Sequence, residues 1–171
     1  MRDRKDGLTL VEFLIVAMLL AIGIVSVLGA YVNQMSLAEY ARNLAWASND
    51  AARVMERLRD LNSTNCLVPT VTVPDALCAG QPINNDWDRW LQFCGGGKSV
   101  QPTPIVNELI VVRTTGANPL RITVGVCWRQ RGRVIGECRW DGVKLVPDDK
   151  PPFDGLIASP AAYSASMTCR D

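Results

Sequence analysis

The sequence predicts an α+β fold in which one long N-terminal helix packs on a small antiparallel β-meander. The helix is predicted because 20 of the 25 residues from 8 to 32 are apolar and because no proline precedes Pro69. The meander is predicted by several short β-branched and aromatic runs in the second half, separated by turn residues. The apolar residues of the whole chain are so unevenly distributed that it divides into a highly apolar segment and an ordinary globular part.

Composition excludes several classes of protein. The chain has 171 residues, 18 basic and 17 acidic side chains, and no histidine. The length suits one domain with an appendage. The lack of histidine excludes catalysis by imidazole and most catalytic zinc sites. From residue 8 onward there are 15 basic and 15 acidic residues, so no net charge favours nucleic acid, and we do not expect it as a partner.

Residues 13–32 form an apolar run in which the hydroxyls of Ser26 and Tyr31 are the only polar side-chain groups. About 20 residues of α-helix cross a hydrocarbon layer of about 30 Å, so the length matches a membrane span. The basic residues just before it favour a cytoplasmic N-terminus. A secretory signal peptide cut near Gly29 and a plain single-pass anchor are two simpler interpretations of the same run.

Glu12 is the only charged residue between residues 8 and 32. A carboxylate inside an apolar segment costs roughly 2.5–3.5 kcal/mol on membrane-insertion scales, so it requires a partner or a function. Nothing else in the segment can neutralise it. We therefore expect a positive charge on another molecule at the same depth of a shared apolar bundle.

A family resemblance is carried by the run Gly7-Leu8-Thr9-Leu10-Val11-Glu12-Phe13, which follows a short basic leader and precedes the apolar helix. It is similar to the type IV prepilin signature. The resemblance implies that a prepilin peptidase cleaves after Gly7 and that the new N-terminal amine of Leu8 is methylated. It also implies that Glu12 pairs with a neighbouring subunit's N-terminus during assembly. Phenylalanine or methionine is commoner than leucine at the position of Leu8.

The same resemblance implies the organisation and location of the chain. Residues 1–7 would be the leader peptide, 8–32 the transmembrane and filament-core helix, 33–61 its amphipathic continuation and 62–171 an exported globular domain. The partners would be other pilin or pseudopilin subunits, the prepilin peptidase and an inner-membrane assembly platform. The protein would reside in the bacterial inner membrane before assembly, then in the periplasm or at the cell surface.

We expect the helix to run from about residue 8 to residue 61. Its second half carries an apolar stripe at alternating spacings of four and three: Leu37, Ala41, Leu44, Ser48, Ala51, Met55 and Leu58. The charged residues, Asp50 and Arg53 among them, fall largely outside this stripe. Gly23 and Gly29 in the apolar half favour close helix packing, with local unwinding during assembly as the alternative.

After the helix, residues 62–82 are predicted to form a loop with at most one short strand. Asn84-Asn85-Asp86 is expected to cap a short helix with Trp87, Trp90, Leu91 and Cys94 on one face. The run Gly95-Gly96-Gly97-Lys98 lacks the glycine spacing of a phosphate-binding loop and is expected to be a flexible turn.

Strands are predicted at residues 105–115, 120–129, 134–140 and 143–146, in a sequential antiparallel meander. The strand Leu-Arg-Ile-Thr-Val…Trp-Arg resembles PilV-type minor pilins most, with the I-type pseudopilins of type II secretion as near relatives. A pilin-like fold and a role in a pilus or a pseudopilus are what this second resemblance implies.

All six cysteines lie beyond the long helix: Cys66, Cys78, Cys94, Cys127, Cys138 and Cys169. An even number in an exported domain predicts three disulfides with 15 possible pairings. Unless a bulge shifts the register, the strand pattern places Cys127 and Cys138 on opposite faces. Pilin-like domains often tie down their C-terminal segment, which makes Cys127–Cys169 an alternative, and the pairing stays open.

The hairpin around residue 131 is rich in arginine: Arg121, Arg129, Arg131, Arg133 and Arg139. These side chains are expected to be solvated, with phosphate binding as the alternative. We expect no catalytic residue, metal or cofactor, because no histidine, Cys-x-x-Cys pair or nucleophile–base pair is evident. An anchored periplasmic enzyme or binding domain is the alternative from a different class.

Overall fold

The structure is a computed structural model that describes residues 10–65, 71–73, 75–100, 108–116, 118–148 and 159–168. The chain divides into two compact units, Met1–Ala41 and Arg42–Asp171. Within the first unit, the described residues are all helical. The second unit contains the rest of that helix, a second short helix and all of the described strands.

Helix α1 spans Leu10–Asn65 without interruption, which confirms the predicted long helix and extends it four residues beyond the expected end. Within the second unit, one face of α1 is buried, and this face carries Ala47, Ala51, Val54 and Leu58. The predicted stripe is therefore correct from Leu44 onward, whereas its first two members are exposed. This part of α1 packs on antiparallel sheet structure, as an α+β arrangement requires.

The segment after α1 contains a small hairpin of two strands, β1 (Leu77–Cys78) and β2 (Gln81–Pro82), where at most one strand was predicted. Helix α2 follows at Trp87–Phe93. Its predicted cap is confirmed, since the Asp86 carboxylate accepts hydrogen bonds from the backbone N–H groups of Asp88 (2.8 Å) and Arg89 (3.4 Å). Cap and short helix together place Trp87, Trp90 and Leu91 in the core.

The main sheet has four strands: β3 (Glu108–Thr115), β4 (Leu120–Gln130), β5 (Arg133–Ile135) and β8 (Ala161–Met167). Strand β4 is central. It pairs along one edge with β3 and along the other with β5 near its end and with β8 over Leu120–Val126. Strand β8 was not predicted, so the sheet is not the simple sequential meander that the sequence indicated.

The strand predicted at residues 134–140 is divided in the structure. Its first part is β5, while its second part is β6 (Cys138–Trp140), which forms a separate hairpin with β7 (Leu145–Pro147). This hairpin covers the face of β4 that carries Cys127, and the two cysteines join Leu145 in a second buried cluster. Strand β4 is consequently buried on both faces. The face opposite Cys127 carries the buried residues Ile122, Val124, Val126 and Trp128.

Candidate functional site: the exposed apolar helix and its polar counterpart

The first part of α1 exposes a continuous apolar surface. All residues from 10 to 35 are exposed, although most of them are leucine, isoleucine, valine, alanine or methionine. Leu10–Ser63 is long and apolar enough, by length and composition, to cross a membrane, and its most apolar window has no buried residue. Exposed apolar surface on this scale marks an interaction with a membrane or another protein, and the segment is compatible with membrane anchoring.

Glu12 lies in the first turn of α1, within this apolar surface. It is exposed, and the residues on either side of it, Val11 and Phe13, are 63% and 68% exposed. A carboxylate in the first helical turn is favoured by the partial positive charge of the helix N-terminus. The predicted cleavage and methylation positions, Gly7 and Leu8, lie outside the described residues.

Two glycines interrupt the apolar surface. A Cβ atom added at Gly23 or Gly29 would meet nothing within 4 Å, so neither glycine is required by contacts within the described chain. Gly23 lies in a shallow apolar depression of α1 that Leu20, Ile24 and Val27 also line. Small residues of this kind allow another helix to approach closely.

The second unit contains a polar site that sequence reasoning missed. Asp50, expected outside the buried stripe, is fully buried on α1. Its carboxylate accepts hydrogen bonds from the backbone N–H of Ser99 (2.6 Å), from the Ser99 hydroxyl (2.7 Å) and from Arg53. A buried carboxylate is stable only when it is paired and hydrogen-bonded, and this set of donors meets both conditions.

Arg53 extends this site to the glycine-rich turn. Its guanidinium also donates to the carbonyl oxygens of Gly95 (2.7 Å) and Gly97 (2.8 Å). The turn that was expected to be flexible is therefore held against α1 by an arginine one helical turn from Asp50. A local signal exists, since Asp50 and Arg53 are an i, i+3 pair, but the same spacing is common on solvated helices.

Lys98, which follows the three glycines, is buried in an ion pair. Its ammonium group donates to the Asp88 carboxylate (2.6 Å) and to the Glu108 carbonyl (3.0 Å). The other oxygen of Asp88 accepts from the backbone N–H of Ile110 at 2.9 Å and so joins α2 to β3. Burial raises the pKa of Asp88 above its ordinary value, and the charge of Lys98 opposes that shift. The pair lies at the wall of a cavity of about 590 Å³.

The structure describes two disulfides, Cys78–Cys94 and Cys127–Cys138. The second one corrects the expectation that Cys127 and Cys138 lie on opposite faces, and it excludes the Cys127–Cys169 alternative. The error is one of register: Val134 opposes Arg129 and therefore shares the face of Cys127. Cys66 and Cys169 lie outside the described residues.

Gly136 makes the Cys127–Cys138 bridge sterically possible. Its φ of +99° is a conformation that side-chain-bearing residues rarely adopt, and it ends the pairing of β5 with β4. A Cβ atom added there would lie 2.7 Å from the Cβ of Cys127. The return strand therefore bends at a glycine that the cysteine itself packs against.

The Cys78–Cys94 disulfide ties the β1–β2 hairpin to the end of α2. Asp75 lies beside it, and its carboxylate accepts a hydrogen bond from the Trp90 indole at 2.9 Å. The thiolate is the form of cysteine that binds metals, and the sulfurs of a disulfide are not thiolates. The grouping of Asp75 with Cys78 and Cys94 is therefore a structural crosslink with a neighbouring carboxylate rather than a metal site.

The five arginines in and around the hairpin differ in exposure. Arg129 lies over the Trp140 ring, with its guanidinium carbon 4.2 Å from the ring centroid. The other four are exposed at separate positions: Arg121, Arg131, Arg133 and Arg139. Their exposure fits the expected solvated surface.

Comparisons with known proteins found no matching family model, no matching curated protein and no matching solved structure.

Proposed function

We propose that this chain is a minor pilin, a subunit of a type IV pilus that acts in pilus assembly, priming or surface function. One observation carries the proposal: Glu12 is the single carboxylate in the exposed apolar part of α1, residues 10–35. It stands in the first turn of the helix, at the position where the prepilin signature has its assembly glutamate. The role of such a subunit is to bind other subunits, and no catalytic step is part of it.

The physical argument concerns the partner of Glu12. An apolar surface of this length is stable inside a bilayer or in the core of a helical assembly. A carboxylate inside such an environment needs a cation at the same depth. In an assembly of identical or related helices, the methylated N-terminal amine at Leu8 of a neighbour would supply that charge. One interaction would then both neutralise Glu12 and set the axial offset between two subunits.

A second candidate is an I-type pseudopilin of a type II secretion pseudopilus. It is favoured by the strand around Ile122, whose resemblance extends to that group. Both candidates use the same helix and the same cleavage, and they differ in the filament that the subunit enters. Immunodetection in sheared pili from cells that lack type II secretion separates them, because a pseudopilin would be absent from that preparation.

The N-terminus of the exported protein tests the proposal. Edman sequencing or mass spectrometry of the membrane-extracted chain should find N-methylated Leu8 as the first residue, and a Gly7→Leu variant should retain the seven-residue leader. A mature chain that begins near Ala30 would instead identify an ordinary signal peptide and overturn the proposal. An unprocessed chain beginning at Met1 in cells with active prepilin peptidase would identify a plain membrane anchor and would overturn it equally.

A further inference from the structure

Two carboxyl groups from distant parts of the sequence meet inside the second unit. Asp50 comes from α1, and Glu108 begins β3 and is only 2% exposed. One oxygen of Glu108, Oε2, accepts a hydrogen bond from the backbone N–H of Val100 at 2.9 Å. Asp50 accepts from the N–H of the preceding residue, Ser99, at 2.6 Å, so the two carboxyls are held side by side on consecutive backbone N–H groups. Two ionised carboxylates held this way would repel each other and would have no donor to share, whereas one proton would give them one.

The unpartnered oxygen shows where that proton belongs. Glu108 Oε1 is buried and receives no hydrogen bond from the described residues, whereas both oxygens of Asp50 accept from donors. If Glu108 is protonated on Oε1 and donates to Asp50, no polar atom of the pair is left unsatisfied. If Glu108 is ionised, a buried anionic oxygen is left without a hydrogen-bond donor, which is unfavourable because the charge has lost its hydration without compensation.

The charges around the pair support the same assignment. Helix α1 contributes Asp50 and Arg53, α2 contributes Asp88, the turn before β3 contributes Lys98, and β3 contributes Glu108. Lys98 binds the backbone carbonyl of Glu108 rather than its carboxylate. With a neutral Glu108 the cluster has two cations and two anions. With an ionised Glu108 it has an uncompensated buried negative charge.

We propose that Asp50 and Glu108 share one proton. The hydrogen bond that this proton makes joins α1, residues 98–100 and the start of β3. Asp50 binds Ser99 from the helix side, and Glu108 binds Val100 from the sheet side. The proton links these two halves. Loss of the shared proton places two negative charges side by side and separates helix from sheet at this position. The hydrogen bond between the two carboxyl groups is therefore a pH-sensitive element of the fold.

The direction of the pH effect follows from the environment of Glu108. Burial, and then the charge of Asp50, raises the pKa of Glu108 from 4.5 to about 9. Because the folded chain holds the proton more tightly than the unfolded chain, this group's contribution to stability is complete below about pH 4.5. It is lost progressively as the pH rises to about 9, by up to about tenfold in the unfolding equilibrium constant per pH unit.

The full chain in detergent micelles provides the test, with denaturant unfolding followed by tryptophan fluorescence between pH 6 and pH 9. Glu108→Gln keeps the shape and a donor toward Asp50 but cannot ionise. We expect the unfolding equilibrium constant of this variant to rise less steeply with pH than that of wild type, by up to about tenfold per pH unit. The variant should also be more stable than wild type at pH 9. Glu56→Gln makes the same change at an exposed position of α1 and should retain the wild-type dependence. Equal pH dependence in wild type and Glu108→Gln would overturn the proposal.

Infrared spectroscopy tests the proton directly and does not depend on unfolding. At pH 7 the wild-type chain should show the carbonyl stretch of a protonated carboxylic acid. The band should be present in Glu56→Gln and absent in Glu108→Gln. A wild-type spectrum without that band at pH 7 would show that both groups are ionised and would overturn the shared proton.

Discussion

Glu12 and Asp50 are carried by the same helix, yet their surroundings are opposite. Glu12 stands in a segment whose described residues are exposed, and its neighbours in the chain are apolar. Asp50 is fully buried among polar donors from a turn 49 residues later in the sequence. The comparison shows that one helix carries two kinds of carboxylate: one is exposed in an apolar segment, and one is buried and hydrogen-bonded within the fold.

Replacing the two carboxylates by alanine should separate their roles and give the largest effect. Asp50→Ala leaves the Ser99 donors and Arg53 without their acceptor, so we expect a loss of about 3–5 kcal/mol in the free energy of unfolding. Glu12→Ala should leave that free energy unchanged. If Glu12 is the assembly carboxylate, the same variant is inserted and cleaved normally but is missing from sheared filaments.

Denaturant unfolding of the full chain in detergent measures the first pair of effects, and immunodetection in sheared filaments measures the second. A Glu12→Ala loss as large as that of Asp50→Ala would show that Glu12 also belongs to the fold. Normal incorporation of Glu12→Ala into filaments would remove the proposed assembly role without affecting the account of Asp50.

A pair of leucines extends the comparison to apolar contacts. Leu58 has no exposed surface, and its replacement by alanine should cost about 2–5 kcal/mol through lost burial and a residual cavity. Leu28 is 58% exposed on the same helix, so Leu28→Ala should change the unfolding free energy of the second unit by less than about 0.5 kcal/mol. Similar losses in the two variants, measured by the same unfolding assay, would contradict the assignment of core and interaction surface.

The smallest expected difference is between two glycines. Gly136→Ala forces a side chain into a φ of +99° and against Cys127, which should cost about 1–3 kcal/mol. Gly23→Ala meets no atom within 4 Å and should increase local helix stability by up to about 1 kcal/mol. Thermal unfolding of the second unit, followed by near-UV circular dichroism, should shift downward only for Gly136→Ala. An unchanged transition in that variant would show that the bend tolerates a side chain.

Several elements could be predicted because their signals are local. The absence of proline and the continuous run of helix-compatible residues predicted α1 from residue 8 to 61, and the structure has Leu10–Asn65. The alternation of Ile122, Val124, Val126 and Trp128 predicted β4 within one residue of its observed end. In each case the information lies within about four residues of the position concerned.

Strand β8 could not be predicted, because Ala161–Met167 contains mostly small and polar residues and lacks an apolar alternation. It becomes a strand by pairing with β4, where Thr123 and Ser164, 41 residues apart, exchange a hydrogen bond of 2.9 Å. The Cys127–Cys138 disulfide was missed for a related reason. The prediction assumed one apolar face, whereas the β6–β7 hairpin buries the second face as well.

The sequence by itself determined the long helix, the apolar surface of its first part and the position of Glu12 as the only charged residue between residues 8 and 32. Each of these depends on neighbours along the chain, through backbone propensity, apolar content and local charge. The tertiary structure decided that Asp50 is buried, that it meets Glu108, and that Cys127 bonds to Cys138. These outcomes depend on which distant residues arrive at the same place, and a buried charge is stable only when those residues supply its hydrogen bonds.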